Sequence, residues 1–285
     1  MQQHQGPLIL LTGATAGIGQ EAARQLAAQG ATVVCVARNE AKARALVEEL
    51  KRSSGNDRHA YLVGDLSQVA DVKRVAREYR ERFDRLDVLF NNAGALFVDR
   101  QLTAEGLERT FAVNHLAYFV LTTELLDLLQ ASGSGRVVST SSAAHHQGDL
   151  GFLEDLQNER WGVGGMRPYG RSKLANIWFT VELARRLEGT GVTANCFHPG
   201  FVASDFASNN GFAAKVFMAL TRPFQRGVSK GADTGVWLAT APELAGKTGG
   251  YYHNRKLRKT SKAARDPQAP ARLWERSEQI VAELV

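Results

Sequence analysis

The chain has 285 residues, 44% hydrophobic and 22% charged, an ordinary globular composition with enough length for one large domain or two small ones. Its 35 Lys and Arg against 29 Asp and Glu leave a net charge of +6, which is not by itself a nucleic-acid-binding profile. The two cysteines, Cys35 and Cys196, both sit in short β-branched runs and read as inert core thiols, not as a disulfide framework.

At the N-terminus, Pro7 is followed by only four consecutive apolar residues, so neither a signal peptide nor an anchor is expected. No later stretch approaches the about 18 uninterrupted apolar residues of a membrane span. The expectation is a soluble, cytoplasmic protein. Strand and helix patterns then alternate. Leu8–Thr12, Thr32–Ala37, Ala60–Val63, Asp87–Phe90, Arg136–Thr140 and Val192–Phe197 read as buried strands, with a last short one at Gly250–Tyr252. Helical spacing marks Ile18–Gln29, Glu40–Arg52, Gln68–Phe83, Ala104–Phe111, Val113–Ala131, Pro168–Glu188, Lys230–Ala239 and Ala271–Glu283. Strands without clear alternation, separated by helices, predict a doubly wound α/β domain. Its sheet is mostly parallel, of about seven strands, with a crevice at their carboxyl ends. No linker or repeat divides residues 1–285, so a single domain is predicted. Two irregular stretches, Ala143–Arg167 and Gly200–Ser229, are expected to overhang the crevice.

"TGATAGIG" (Thr12–Gly19) follows the first strand and opens the first helix. Gly13 permits a sharp turn, and Gly17 and Gly19 remove side chains where a pyrophosphate must approach the backbone and helix must meet sheet. The spacing is G-x-x-x-G-x-G, and its place between strand and helix is what gives it weight. After the second strand, where a carboxylate would hold a ribose 2′-hydroxyl, the chain has Arg38. A guanidinium suits a 2′-phosphate, so NADP(H) is predicted in preference to NAD(H).

Tyr169 and Lys173 lie four positions apart in a predicted helix and therefore on one face. A free phenol has a pKa near 10; a nearby ammonium lowers it toward the range of a useful acid–base group. The pair carries little weight alone, but it stands in a series. "TGATAGIG", "GDLS", "NNAG", "FAVNHLAYF", "VVSTSSAAHH", "YGRSK" and "HPGFVAS" occur in this order from Thr12 to Ser204. Together with "GADTGVWLATAPELAGKTGGYY" and "ARLWERSE" they closely resemble the short-chain dehydrogenase/reductase family, in its retinol-dehydrogenase-like branch, over nearly the whole chain.

The resemblance implies a Rossmann-type fold and a catalytic set of Asn114, Ser142, Tyr169 and Lys173. The stretch "STSSAA" offers Ser139, Ser141 and Ser142 for the serine that holds the substrate oxygen; alignment on the serine pair favours Ser142, with Ser141 in reserve. Tyr169 matches the proton donor. Lys173 matches the residue that lowers the phenol pKa and holds the nicotinamide ribose. Asn114 matches the asparagine of a helix bend and water-linked relay. The cofactor set implied is Gly13, Thr15, Ala16, Gly17, Ile18, Gly19, Arg38, Asp65, Leu66, Asn91, Ala93, Gly94, Tyr169, Lys173, Pro199, Gly200, Val202 and Ser204. Ala16 stands where many NADP-dependent members carry a basic residue, which leaves more of the 2′-phosphate to Arg38. The insert of 26 residues between Ser142 and Tyr169 is longer than the family at large has and fits the retinol-like branch. His145 and His146 within it are given structural or substrate-lip roles, and no metal site is predicted.

The reaction implied is hydride transfer between a nicotinamide and a carbonyl or alcohol carbon, with Tyr169 exchanging the proton. The competing reading is a non-catalytic NADP(H)-binding sensor, which has no need of an intact Ser–Tyr–Lys set. Phe206, Phe212, Phe217, Met218 and Leu220 form either an apolar wall or membrane-touching loop, or a helix folded onto the core, the two weighed equally. The resemblance points to a lipophilic small-molecule carbonyl or alcohol as substrate and to a homodimer or tetramer. The basic run Arg255–Arg265, in a C-terminal extension over residues 253–285, lacks aromatic stacking groups and reads as solvated surface, with no nucleic acid expected.

Overall fold

The computed structural model describes residues 6–160, 164–200 and 227–284. Among these, eight strands form one sheet in the order β3-β2-β1-β4-β5-β6-β7-β8. They are β1 (Leu8–Thr12), β2 (Thr32–Ala37), β3 (Ala60–Val63), β4 (Val88–Asn91), β5 (Arg136–Thr140), β6 (Thr193–Phe197), β7 (Tyr251–His253) and β8 (Lys256–Leu257). The first seven are mutually parallel, in registers such as Leu10 with Val34 and Val138 with Asn195. The eighth strand, absent from the sequence reading, pairs antiparallel with β7. Its hairpin is closed by Asn254 and Arg255, both at positive φ, the two-residue turn that matches strand twist.

The helices are α1 (Gly17–Ala28), α2 (Glu40–Ser54), α3 (Val69–Arg82), α4 (Arg109–Phe111), α5 (Ala117–Glu124), α6 (Leu126–Ala131), α7 (Met166–Arg186), α8 (Val228–Thr240) and α9 (Ala269–Ala282). They cover both faces of the sheet, and the period-two geometry of the strands sorts the core between them. Leu10, Val34, Val36, Leu89, Val137 and Cys196 face α3, α5, α7 and α9. Ile9, Leu11, Val33, Cys35, Val88, Phe90 and Val138 face α1, α2 and α8. The two cysteines are free, buried and on opposite sides of the sheet. Strand order reverses between β1 and β4, so a crevice opens beyond the carboxyl ends of those two strands.

Two expectations are corrected. The helix predicted over Ala104–Phe111 begins at Arg109, because Glu108 caps it by accepting the Thr110 and Phe111 amides. Ahead of it, Gly106 at φ +77° closes a turn, and Glu105 is drawn away to accept the Val69 and Ala70 amides that open α3. The insert after Ser142 is also more regular than expected. Two 3-10 turns, Ala143–Gln147 and Leu150–Glu154, place Phe152, Leu153 and Leu156 in the core.

Candidate active site

The turn from β1 into α1 is built for close approach. Gly13, at φ +68°, has Ala93 so near that a Cβ would sit 2.8 Å from its Cα, and a Cβ on Gly19 would lie 2.2 Å from the Gly13 carbonyl oxygen. Thr12 ties this turn to the one after β4: its hydroxyl accepts the Asn92 and Ala93 amides at 2.9 and 3.0 Å, and its carbonyl accepts from the Asn92 side chain at 3.0 Å. The N-cap of α1 is Ala16; among the described residues no side chain caps the first-turn amides, and that turn carries no acid. Those amides are free to receive an anion, so the residues present fit a dinucleotide pyrophosphate. Thr15 and Ile18 are half-buried beside the glycines, and Ala16 is exposed.

Arg38 lies exposed just past β2, and the next residue, Asn39, caps α2 by accepting the Lys42 amide. Asp65 follows β3; one carboxylate oxygen accepts the Ser67 amide at 3.0 Å, closing its own turn beside buried Leu66. The Asn91 side chain points inward and donates to Thr122 on α5, so it is the backbone of Asn91 and its neighbours that reaches the crevice. Pro199 and Gly200 follow β6, with the Gly200 amide donating to His198 Nδ1. Val202, Ser204 and the apolar residues Phe206–Leu220 lie outside the described residues.

The remaining predicted residues converge. Residues 112–116 form a single π-helical turn between α4 and α5, which opens the helix at Asn114. Its side chain accepts the Ala95 amide at 2.8 Å and donates to the Ala95 carbonyl and to Ser172 Oγ. Where Gly94 would carry a Cβ, Asn114 Oδ1 and Lys173 Nζ are each 3.2 Å away. Lys173, 2% exposed, donates from Nζ to the Thr140 carbonyl at 3.0 Å. Its Nζ is 5.6 Å from the Tyr169 ring centroid and 5.7 Å from that of Tyr118. Tyr118 and Thr140 were not singled out from the sequence. Tyr118 stands one helical turn beyond Asn114, and that spacing is the signal for it.

Geometry also separates the three serines. Ser139 is buried in β5, and Ser141 Oγ is spent donating to the Lys173 carbonyl at 2.7 Å. Ser142 is half-buried, and its side chain is close enough to the Tyr169 phenol to pull that group's pKa down. The expected lowering of that phenol by the ammonium is not found. Burial raises the Tyr169 pKa well above the usual phenol range, against a smaller pull downward from Ser142. Burial also lowers Lys173 to about 7. The phenol is therefore protonated at neutral pH, ready to donate.

The model of the short chain dehydrogenase family matches residues 7–154. Retinol dehydrogenase 12 of Mus musculus is 38% identical over 269 residues, covering 94% of this chain and 84% of its own length. A candidate daunorubicin C-13 ketoreductase of a Streptomyces species is 38% identical over 278 residues, covering 98% of this chain and 93% of its own. Among solved structures, a variant of actinorhodin polyketide ketoreductase crystallised with NADPH aligns with a TM-score of 0.70 at 27% identity, covering 88% of this chain and 96% of that one.

Proposed function

The chain belongs to the short-chain dehydrogenase/reductase family, and from that premise we propose an NADP(H)-dependent oxidoreductase that interconverts a carbonyl and an alcohol on a lipophilic small molecule, with Tyr169 as its acid–base group. The observation that carries this reading is the placement of buried Lys173 Nζ 5.6 Å from the Tyr169 ring centroid, with the Ser142 side chain on the phenol's side of the site. When bound, the dinucleotide supplies or accepts the hydride. The glycine turn and the first amides of α1 bind its pyrophosphate, and Arg38 its 2′-phosphate. In reduction, Ser142 Oγ holds the substrate oxygen and Tyr169 gives it a proton as negative charge develops there. Lys173, held by the Thr140 carbonyl, gains from any negative charge nearby and then favours the phenolate that donation leaves. Asn114 fixes the strand-to-helix backbone at Ala95, next to that ammonium. The substrate class draws on the two relatives named for retinol and daunorubicin, and the cofactor on the NADPH of the solved ketoreductase.

A spectrophotometric panel of retinoid, aromatic polyketide and simple lipophilic carbonyls, run with NADPH and with NADH, tests this. Tyr169→Phe is expected to lower kcat by about 10²–10⁴-fold while NADPH affinity changes by less than about twofold. A variant as fast as the native protein would remove Tyr169 from the chemistry. Carbonyl-independent NADPH binding without turnover across the panel would favour the sensor.

A further inference from the structure

We propose that His145 is the positioning residue for Ser142, and that Ser261, in the segment beyond β8, sets the tautomer through which it acts. The proposal deepens the catalytic reading above and rests on it for the role of Ser142.

His145 is fully buried in the 3-10 turn that starts right after Ser142. Its Nε2 receives the backbone N–H of Ser261 at 3.1 Å, across 116 positions of sequence. A backbone amide can only donate, so Nε2 must present its lone pair. In a neutral ring the proton is then on Nδ1. That atom lies 2.7 Å from the Ser142 carbonyl oxygen, which can only accept. Both partners therefore require the same tautomer, Nδ1–H, and neither leaves the ring a choice. Tyr251 packs edge-on against the ring at 5.0 Å with its hydroxyl 3.4 Å from Nδ1, and the His146 ring lies 4.2 Å away. An imidazolium would set a second N–H against that of Ser261, and burial holds His145 down to about 4, which keeps it neutral.

The consequence falls on Ser142. Its carbonyl accepts both the His145 ring and the His145 amide, the latter at 3.1 Å. Its Oγ accepts the Ala144 amide at 3.1 Å on the side of the site that holds Tyr169. The serine is thus fixed at both ends, one of them by a ring that is itself fixed by a distant stretch of chain. Reacting groups must be held to within about 0.5 Å, and a displacement of about 1 Å can cost up to 10²-fold in rate.

Three variants and one spectroscopic measurement decide it. In His145→Asn the amide nitrogen overlays Nδ1 and keeps the donor to Ser142. In His145→Leu the bulk stays and the donor goes. His145→Gln, whose amide sits one bond farther out, replaces the leucine variant if that does not fold. Long-range ¹H–¹⁵N NMR of the native protein should show His145 as neutral Nδ1–H from about pH 6 to 8. With NADPH and the best carbonyl of the panel, the leucine variant should lose at least about tenfold in kcat with NADPH affinity within about twofold, and the asparagine variant should recover to within about threefold of native. An Nε2–H or charged ring at pH 7, a leucine variant at native kcat, or an asparagine variant as slow as leucine would each overturn the proposal. If instead the catalytic reading is at fault, native protein and Tyr169→Phe will oxidise NADPH at one rate with every carbonyl. The NMR measurement needs no turnover and still decides whether His145 joins Ser142 to Ser261.

Discussion

Lys173 and Tyr169 share one turn of α7, as their spacing requires, but burial acts on them in opposite senses: it raises the phenol and lowers the ammonium to about 7. The lysine shift has a sign that stability must report. An unfolded lysine titrates at 10.5, so between about pH 7 and 10.5 the unfolded chain binds the extra proton, and the folded state gains stability as pH rises through that window. Compared with Lys173→Met, the native protein should gain roughly 2–4 kcal/mol between pH 7 and 9.5 in urea unfolding; parallel pH profiles would show that the ammonium is not penalised. Arg38 carries a second residue-scale expectation. Arg38→Ala should weaken NADPH binding by about 10–100-fold and leave NADH within about twofold, measured by fluorescence titration. Residue chemistry does not distinguish Ser139, Ser141 and Ser142; the family resemblance favoured Ser142, with Ser141 in reserve. What the fold adds is that Ser141 is already paired with the Lys173 carbonyl, while the Ser142 side chain lies close enough to Tyr169 to lower its pKa.

Among the elements, the turn into α1 was legible because its glycines have no substitute. A Cβ on Gly19 would lie 2.2 Å from the Gly13 oxygen and 2.5 Å from Asn92 Nδ2, so the turns after β1 and β4 would have to part. Gly19→Ala should cost about 1–3 kcal/mol of stability and at least about tenfold in NADPH affinity, read by thermal melting and calorimetry; unchanged binding would show that this contact does not shape the site. The insert after Ser142 was not legible. It has no helical or strand period, and its order comes from buried Arg171 on α7, which donates to Asn158 and Asp149 and lies over the Phe152 ring at 5.7 Å. The helix at Ala104–Phe111 failed for a related reason: Glu105, a good helix former, serves another helix as its cap.

At the scale of the whole molecule, buried histidines tie distant parts together and make the fold sensitive to acid. His115 in the π-helical turn meets Ser277 of α9 at 3.0 Å, and burial lowers it to about 3; His145 is lowered to about 4. Unfolded histidines take a proton near 6.5, so between about pH 6.5 and 4 the unfolded chain binds more protons and stability falls as pH falls. His115→Asn should flatten that loss by about 1–3 kcal/mol between pH 7 and 5, measured by urea unfolding followed by circular dichroism. Equal slopes would place the acid sensitivity elsewhere.

The chain's own order of residues determined the alternation of strands and helices, the glycine turn and the Tyr169–Lys173 spacing, because each depends on neighbours within one or two turns of backbone. The tertiary structure alone decided that Ser141 is spent on the Lys173 carbonyl, how burial divides protons between Tyr169 and Lys173, and that Ser261 reaches back to His145. Those outcomes depend on desolvation and on hydrogen bonds between residues remote in sequence, and neither quantity exists until the sheet has closed the distance.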